Sequence, residues 1–388
     1  MEQHFFSRRN FMAAGTVMAA SAFTPGITGN NFPVESGKGM LNVVDFGAKG
    51  DGTADDTQAI QSAMDKAAGT NGAVFIPEGS FLCSELKVPA GIGVYGLPAW
   101  SYGRGMGTIL KFKGGARCLI NLTGSFGSYL YGLCLHGENI EGGAHGILVD
   151  KPDYGTQEDT PRIDMCRVER FTGDGIRLDR IWCFVVRHSH CYGNHGCGLR
   201  VRGWDGFILD NWFSGNRQAG YGSYEENASN TITGNRIEWN REGGIVIYGG
   251  SHYNITGNYI DRSGRCGLAL YRRGESSVCH TMAITGNIIY RSGKPDWGKG
   301  DEFDSAHVRL EYARGVTFVG NSLNAGRDDG GKGGFSPEYA MILKGLEYSV
   351  VKDNVMYLGA MKQLILDQGG HGQEAIIKDN VGSLRNPS

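Results

Sequence analysis

The sequence predicts an all-β fold: a right-handed parallel β-helix of short strands wound into stacked coils, with a short N-terminal capping helix. The main observation is a repeat whose anchor residue is an asparagine in most coils. The anchors are Cys166, Ser189, Asn211, Asn235, Asn258, Asn287, Asn321, Asn354 and Asn380. The first four intervals are 22 to 24 residues long, and the later ones are 26 to 34. A repeat of this period with variable insertions is typical of a solenoid.

The residues around each anchor indicate where the strands lie. The position three before the anchor is apolar in every repeat, and the position two after it is apolar in the complete repeats. A glycine stands nine residues after the anchor in five repeats, at Gly175, Gly198, Gly220, Gly244 and Gly267. Short alternating runs separated by glycine predict three short strands per coil, joined by corners. Equivalent residues would then lie about 4.8 Å apart, and the asparagines could hydrogen-bond along the stack.

The first 25 residues predict a twin-arginine signal peptide. The segment Ser7-Arg8-Arg9-Asn10-Phe11-Met12 resembles the export motif, and the apolar run that follows it is too short to span a membrane stably. We therefore expect a periplasmic or secreted protein, exported by the twin-arginine route. The rest of the chain holds no run of 18 apolar residues, so no membrane partner is expected for the mature protein.

Residues 41–97 predict a cap for the N-terminal end of the solenoid. Thr53 is expected to be the N-cap of a helix, with Asp56 at the third helical position. The helix would bury an apolar stripe made of Ile60, Ala63, Met64 and Ala67. It would cover strand edges that otherwise invite aggregation.

The same segment carries a family resemblance. VVDFGAKGDGTADDTQAIQSAMDKA, followed by GAVFIPEGSFLCSELKVPAGIGVYG, resembles the opening of the pectate lyase/polygalacturonase superfamily. Its subgroup includes rhamnogalacturonase-like and phage tailspike proteins. The asparagine column is similar to the ladder of pectate-lyase-type helices. The resemblance implies one β-helix domain over residues 41–385, with 41–97 as capping segment, regular coils over 163–385 and a saccharide cleft along the first sheet.

Charge and cysteine content exclude some classes of function. The formal net charge is -2 and the pI is near 6.6, so nothing global points to nucleic acid as a partner. The nine cysteines do not have the spacing of a zinc site. They are expected to be unpaired or buried thiols that pack in the core.

Two columns of side chains should point outward from the first sheet, because alternate strand residues face opposite sides. The first column is Arg177, Arg200, Gly222, Val246, Ala269 and Arg309. The second is Asp179, Arg202, Tyr224, Tyr248, Tyr271 and Glu311, and it continues to Lys344 and Asp367. Tyrosine rings suit the faces of sugars, and arginines suit carboxylates. Alternatively, the tyrosines are simply good strand residues that stack on each other.

Two polar insertions, 291–307 and 326–339, fall at the same corner of successive coils. Long loops on one rim of a rigid scaffold commonly carry function, so both insertions are expected to form one wall of the cleft. Their carboxylates could offer oxygen ligands to Ca²⁺, or could simply be solvated. These carboxylates are Asp301, Glu302, Asp304, Asp328 and Asp329.

The expected activity is that of an exported enzyme that depolymerises an acidic polysaccharide, with β-elimination favoured. Arginine and tyrosine can neutralise a uronate and move protons without a pair of carboxylates. The catalytic candidates are Arg202, Tyr224, Tyr248, Tyr271, Arg309 and Glu311. The substrate-binding candidates are Arg177, Asp179, Arg200, Lys344 and Asp304, and no metal ligand is assigned. The alternatives are a glycoside hydrolase using Glu311 with a carboxylate of the first insertion, and a non-catalytic glycan-binding or adhesion β-helix.

Overall fold

The computed structural model describes residues 39–386, except residue 71 and residues 99–105, 295–296 and 298–299. The expected signal peptide over residues 1–25 lies outside the described residues. The strands that follow pair in parallel in two sheets, which confirms the predicted parallel β-helix. In each regular coil the smaller sheet takes the strand that follows the anchor, and the larger sheet takes the other two segments.

Among the described residues, the smaller sheet has 13 strands. They are Asp51–Asp55, Gly79–Cys83, Thr108–Phe112, Leu133–His136, Arg167–Glu169, His190–Tyr192, Trp212–Ser214, Arg236–Glu238, Tyr259–Asp261, Ile288–Tyr290, Ser322–Asn324, Val355–Ala360 and Val381–Leu384.

In the part of the chain that the structure describes, the larger sheet has 23 strands. They are Leu41–Asn42, Ala73–Phe75, Leu86–Lys87, Gly93–Tyr95, Cys118–Asn121, Tyr129–Tyr131, His145–Asp150, Arg162–Asp164, Ile176–Arg187, Leu199–Leu209, Ala219–Ser223, Asn227–Ala228, Thr231–Thr233, Gly243–Tyr248, Ser251–Thr256, Leu268–Tyr271, Cys279–Thr285, Ala306–Glu311, Ala313–Val319, Tyr339–Lys344, Val350–Lys352, Gln363–Asp367 and Ile376–Lys378.

The prediction of three separate strands per coil is wrong for two coils. Ile176–Arg187 and Leu199–Leu209 each run through the corner between their first two segments. Their pairing shifts register between Asp179 and Ile181, where Arg180 has a φ of 56°. Arg180 and Cys183 in the first strand, and Asp205 in the second, have left-handed φ angles that turn the chain while the two segments remain continuous.

The asparagine anchors form a buried hydrogen-bonded ladder along the stack. The backbone N–H and the side-chain amide of Asn235 both donate to Oδ1 of Asn258, at 3.0 and 2.9 Å. The side-chain amide of Asn258 in turn donates to the carbonyl of Ile232, at 2.8 Å. The same pattern repeats from Asn211 to Asn380, so the carboxamides satisfy corner backbone that the sheets leave unpaired.

A second, shorter ladder occupies the corner after the smaller sheet, and the sequence analysis missed it. Asn194 and Asn216 each donate a backbone N–H and a side-chain N–H to the asparagine of the next coil. The last member is Asn240, and all three residues are fully buried. This corner is therefore held as firmly as the predicted one over three coils.

The capping helix spans Thr57–Ala68 and buries the predicted stripe of Ile60, Ala63, Met64 and Ala67. Its N-cap is Asp56 and not Thr53, because Asp51–Asp55 forms a strand. Short 3₁₀ turns cover Val43–Phe46 and Asp329–Gly331. Within the described ranges, no helix has the length and apolar character needed to cross a membrane.

The ladder yields a stability prediction. Asn258→Ala removes bonds to two neighbouring anchors and to the Ile232 carbonyl, and leaves buried polar groups without partners. We expect the free energy of unfolding to fall by about 3 kcal/mol, measured by urea unfolding followed by circular dichroism. The matched control is Asn254→Ala, an exposed residue of the same coil, which should change the midpoint little. Equal midpoints for the two variants would contradict a ladder that carries stability.

Candidate active site

Three tyrosines form a continuous column on the outer face of the larger sheet. The ring centroids of Tyr224 and Tyr248 lie 5.7 Å apart, and those of Tyr248 and Tyr271 lie 4.9 Å apart. Small buried side chains, including Cys197 and Ala219, lie beneath the rings. The strand pairing confirms the register predicted for this column, since Tyr248 pairs with Tyr271 on the next coil.

A cleft of about 440 Å³ opens over this column. We call it the tyrosine cleft. Its lining consists of Tyr224, Glu242, Val246, Tyr248, Arg265, Cys266, Ala269, Tyr271, Gly300, Asp301, Asp304, Arg309 and Glu311. The strand positions Val246 and Ala269 supply its floor, and the first insertion supplies a wall that bears two carboxylates.

Arg309 is the centre of the polar wall. Its Nε donates to Glu311 at 2.7 Å, and a terminal nitrogen contacts Asp301 at 2.9 Å and Asp304 at 3.2 Å. Because one planar guanidinium binds all three carboxylates, they lie within about 8 Å of each other. The structure thus brings Glu311 together with carboxylates of the first insertion.

Asp304 differs from the other two carboxylates in its surroundings. Burial and the nearby charge of Asp301 raise the pKa of the Asp304 carboxyl, although Arg265 and Arg309 act against the shift. The Asp304 side chain is 13% exposed, whereas that of Asp301 is 55% exposed. A carboxyl whose pKa is raised, with other carboxyl groups close by, is a common arrangement for acid–base catalysis.

The tyrosine phenols are poorly suited to act as bases. Burial raises the pKa of Tyr224 and of Tyr271 far above the ordinary phenol value, and it raises that of Tyr248 as well. The hydroxyl of Tyr224 lies 3.5 Å from the Sγ of Cys197, whose pKa burial raises to about 12. The phenol hydroxyls therefore remain protonated, and the side chains present flat rings and hydroxyl groups to a ligand.

Two of the predicted arginines lie beside the cleft and carry their own partners. Arg200 forms an ion pair with Glu225 at 2.5 Å, and its guanidinium lies 5.2 Å from the centroid of the Tyr224 ring. Arg202 forms an ion pair with Glu226 at 2.6 Å. Neither residue lines the tyrosine cleft. Their charges are already paired, so they are poor candidates for neutralising a substrate carboxylate.

The ends of the predicted columns also lie outside the cleft. Arg177 binds Asp179, two residues further along the same strand, and the distance from Nε to Oδ2 is 2.9 Å. Lys344 pairs in register with Glu311 but does not line the cleft. Of the predicted site residues, the structure brings together Tyr224, Tyr248, Tyr271, Asp304, Arg309 and Glu311.

The predicted continuation of the second column to Asp367 is wrong. Asp367 pairs with Leu343 and not with Lys344, so the last coil is shifted by one residue. A shift of one residue exchanges the two faces of a strand. Asp367 instead interacts with the ring of His371, with 2.8 Å between Oδ1 and Nε2.

The second insertion does not form a wall of the cleft, contrary to the prediction. Asp328 contacts Lys294 at 2.7 Å and Arg262 at 3.3 Å, and Asp329 contacts Arg291 at 2.7 Å. These ion pairs hold the insertion at another part of the corner, where the side chain of Arg262 is fully buried. The first insertion alone reaches the tyrosine cleft.

The carboxylates proposed for Ca²⁺ are divided between these two places. Asp301 and Asp304 bind Arg309. Asp328 and Asp329 instead bind other arginine and lysine side chains. Over the described ranges, no group of three or more His, Cys, Asp or Glu side chains is placed to hold a metal ion. The residues present therefore do not fit a preformed calcium site.

Sequence reasoning missed two residues of the cleft, Glu242 and Arg265. They occupy equivalent rim positions on consecutive coils, two residues before Gly244 and Gly267. The register of the glycines is sufficient to predict both positions. They lie at the rim, however, outside the two columns of outward-facing strand residues. The cysteines met expectation: all nine are free, and eight are buried.

Two family models match this chain. The model described as "Right handed beta helix region" matches residues 174–336, and "Rhamnogalacturonase A/epimerase, pectate lyase-like" matches residues 40–100. The two models match the solenoid and its capping segment, and both support a right-handed β-helix of the pectate-lyase-like type. Both the fold class and the superfamily expected from the N-terminal motif are thus confirmed.

Proteins with similar sequences or structures include three that act on carbohydrates by name. Depolymerase 1, a capsule-specific protein of a Klebsiella phage, is 24% identical over 330 residues, which are 80% of this chain and 39% of the relative. Mannuronan C-5 epimerase AlgE2 of Azotobacter vinelandii is 27% identical over 273 residues, 65% of this chain and 25% of the relative. The catalytic unit of an α-1,3-glucanase from Streptomyces thermodiastaticus is 18% identical, with a TM-score of 0.63 over 89% of this chain and 69% of that one. The chain thus spans about two fifths of the depolymerase and a quarter of the epimerase.

Proposed function

We propose that this protein is a carbohydrate-active enzyme that hydrolyses glycosidic bonds of a polysaccharide in the tyrosine cleft. One observation carries the proposal: Arg309 gathers Glu311, Asp301 and the half-buried Asp304 at the wall of an aromatic cleft. Glycosidases need a proton-donating carboxyl and an ionised carboxylate about 5 to 9.5 Å apart. Glu311 and Asp304 bind different nitrogens of one guanidinium, so their oxygens lie within about 8 Å of each other, which supports this pair.

The environments of the carboxylates divide the work between them. Asp304, with its raised pKa, would donate a proton to the glycosidic oxygen as the bond from that oxygen to the anomeric carbon breaks. Glu311, which accepts from Nε of Arg309 and is only 15% exposed, would take a proton from the water that attacks the anomeric carbon. After the reaction, Glu311 carries a proton and Asp304 has lost one. Exchange of protons with solvent restores both groups.

The aromatic column supports a saccharide as the ligand. Tyrosine rings stack on the apolar faces of sugars, and the spacing of 4.9 and 5.7 Å gives a continuous aromatic surface over three coils. The named relatives include a capsule-specific depolymerase, a mannuronan epimerase and an α-1,3-glucanase. Their names support a polysaccharide substrate for this chain and leave its sugar to experiment.

β-Elimination on an acidic polysaccharide, which the sequence favours, is the second candidate. Arg265 and Arg309 bring two guanidinium groups to the cleft, and such groups suit the carboxylate of a uronate. Both guanidinium groups, however, already contact carboxylates of the protein. The elimination also needs a base, and the raised pKa values of Tyr224, Tyr248 and Tyr271 make their phenols weak candidates. Hydrolysis therefore has the stronger support.

We also propose export by the twin-arginine route to the periplasm or the medium. The support is the Arg8-Arg9 motif together with nine cysteines that form no disulfide in the described structure. This route carries folded proteins, and a chain that folds in a reducing cytoplasm has no use for disulfides.

The proposal predicts the effect of Asp304→Asn. Because a general acid must be protonated, cleavage by the parent enzyme should fall as pH rises through the raised pKa of Asp304. The variant has no proton to donate at this position, and its kcat should be lower by at least about 100-fold. Initial rates of reducing-end formation on pectin, alginate, glycosaminoglycans, rhamnogalacturonan and α-1,3-glucan provide the measurement. The control is Asp210→Asn, whose exposed carboxylate lies outside the cleft and which should match the parent.

The products of the same reaction separate the two chemistries. Hydrolysis should give reducing ends without near-ultraviolet absorbance, whereas elimination would give unsaturated ends that absorb. Absorbing products would replace the hydrolytic assignment by the lyase. Saccharide binding without any new chain ends would leave a non-catalytic glycan-binding protein.

The column of aromatic rings predicts a loss of affinity in Tyr248→Ala. The ring contacts both of its neighbours and is only half-buried, so its loss should weaken saccharide binding or turnover at least tenfold with little change in the melting temperature. Tyr357→Ala, which removes a ring that is 66% exposed elsewhere, serves as the control. Unchanged kcat and KM in Tyr248→Ala would place the site away from the tyrosines.

The export proposal predicts the location of a double variant. Arg8→Lys with Arg9→Lys should leave the protein in the cytoplasm, because the motif depends on the arginine pair. Cell fractionation with immunoblotting of the parent and the variant is the measurement. Export of the variant at the parental level would show that another signal directs it.

A further inference from the structure

A second cleft of about 680 Å³ lies on the outer face of the smaller sheet. We call it the tryptophan groove, because Trp212, Trp239 and Trp297 line it. These are three of the six tryptophans in the chain. A surface that concentrates large flat rings around an open cavity of this volume is typical of a small-molecule or sugar site.

The floor of the groove comes from a gap in a column of large side chains. Ser214 pairs in register with Tyr192 on the preceding coil and with Glu238 on the following one. Ser214 and the adjacent Gly215 are much smaller than these neighbours. The gap leaves room for a ligand between rings on either side.

Trp212 is held in a fixed orientation. Its ring stacks on the buried His190, with centroids 4.8 Å apart and planes 20° apart. Its indole N–H donates to a carboxylate oxygen of Glu238 at 2.8 Å. A ring fixed by stacking and a hydrogen bond loses little freedom when a ligand binds, which favours affinity.

Trp239 is fixed by the corner in which it lies. Its φ of 60° is left-handed, and the guanidinium of the buried Arg262 lies 3.7 Å from its ring centroid. Trp297 from the first insertion stacks on it, with centroids 5.4 Å apart and planes 19° apart. Ion pairs of Arg262 with Asp328 and Asp329 hold this stack in place.

The groove and the tyrosine cleft border the same corner of the solenoid. Arg241 lines the groove, and the next residue, Glu242, lines the cleft. The first insertion contributes Trp297 to the groove and Gly300 to the cleft. A polymer bound in one site therefore has the other within a short distance along the same surface.

We propose that the tryptophan groove is a second, non-catalytic saccharide site that holds the polysaccharide beside the tyrosine cleft. The rings provide stacking surfaces, and Glu238, Ser214 and Arg241 provide groups for sugar hydroxyls. The link to catalysis rests on the proposed function, but binding in the groove does not. Two linked sites raise the affinity for a long chain without changing the affinity for a fragment that fills one site.

The test uses Ser214→Tyr, which fills the groove with the side chain that the preceding coil carries at this position. Binding is measured in the Asp304→Asn background, with alginate and α-1,3-glucan as acidic and neutral probes, by native affinity electrophoresis and tryptophan fluorescence. We expect at least one polymer to change the fluorescence and retard the protein. Ser214→Tyr should weaken that binding at least tenfold, and Trp297→Ala should weaken it in the same direction.

Two controls keep the groove separate from folding and from the cleft. Trp204→Phe removes a tryptophan that stacks on Tyr154 outside the groove, and it should preserve binding and most of the fluorescence change. In the catalytically intact protein, Ser214→Tyr should raise KM for the polymer severalfold, and by a larger factor than KM for short oligosaccharides.

The proposal is overturned if neither polymer binds, or if Ser214→Tyr and Trp297→Ala bind as tightly as the parent. A third outcome is that binding depends on these two positions while the parent protein, with Asp304 intact, cleaves no polymer. That outcome would support the groove and reject the proposed hydrolysis. The failure of one proposal is thus distinguishable from the failure of the other.

Discussion

Parallel pairing of each coil with the next, reinforced by the buried asparagine ladder, is the constraint on which the rest of the structure depends. Asn258 both accepts from Asn235 and donates to Asn287, so each anchor fixes the position of two coils. The ladder supplies partners to corner backbone that would otherwise be buried without them. Once that register is set, alternation along the strands decides which side chains line the core and which face outward.

The tyrosine cleft follows from this register together with one loop. Stacking alone places the three tyrosines and Glu311 in one column, and the mostly buried carboxyl of Asp304 reaches them because the first insertion folds over the sheet. Arg309 then draws Asp301 and Asp304 toward Glu311. Burial of Asp304 beside another carboxylate raises its pKa and disfavours its charged form. Carboxyl groups that are held close together on a rigid scaffold, with a perturbed pKa, are typical of catalytic sites. Packing for stability alone would not bring such groups together.

Periodic features of the protein could be predicted from the sequence, whereas features set by long-range packing could not. The anchor spacing and the alternation predicted the ladder, the core and the tyrosine column through Glu311. The prediction for Asp367 was wrong because this coil is one residue longer than the period assumed, so that Asp367 pairs with Leu343. The second insertion was misplaced because its ion pairs with Arg262, Arg291 and Lys294 have no sequence signal. The tryptophan groove was missed for a similar reason, since Trp239 and Trp297 are 58 residues apart and meet only in the folded chain.

A crystal structure of the Asp304→Asn protein with a bound oligosaccharide of the polymer it cleaves tests the central claim most directly. The account predicts sugar rings stacked on Tyr224, Tyr248 and Tyr271, with a glycosidic oxygen within hydrogen-bonding distance of residue 304. It also predicts Glu311 on the far side of the same bond. A saccharide bound along another face, with the tyrosine cleft empty, would contradict it.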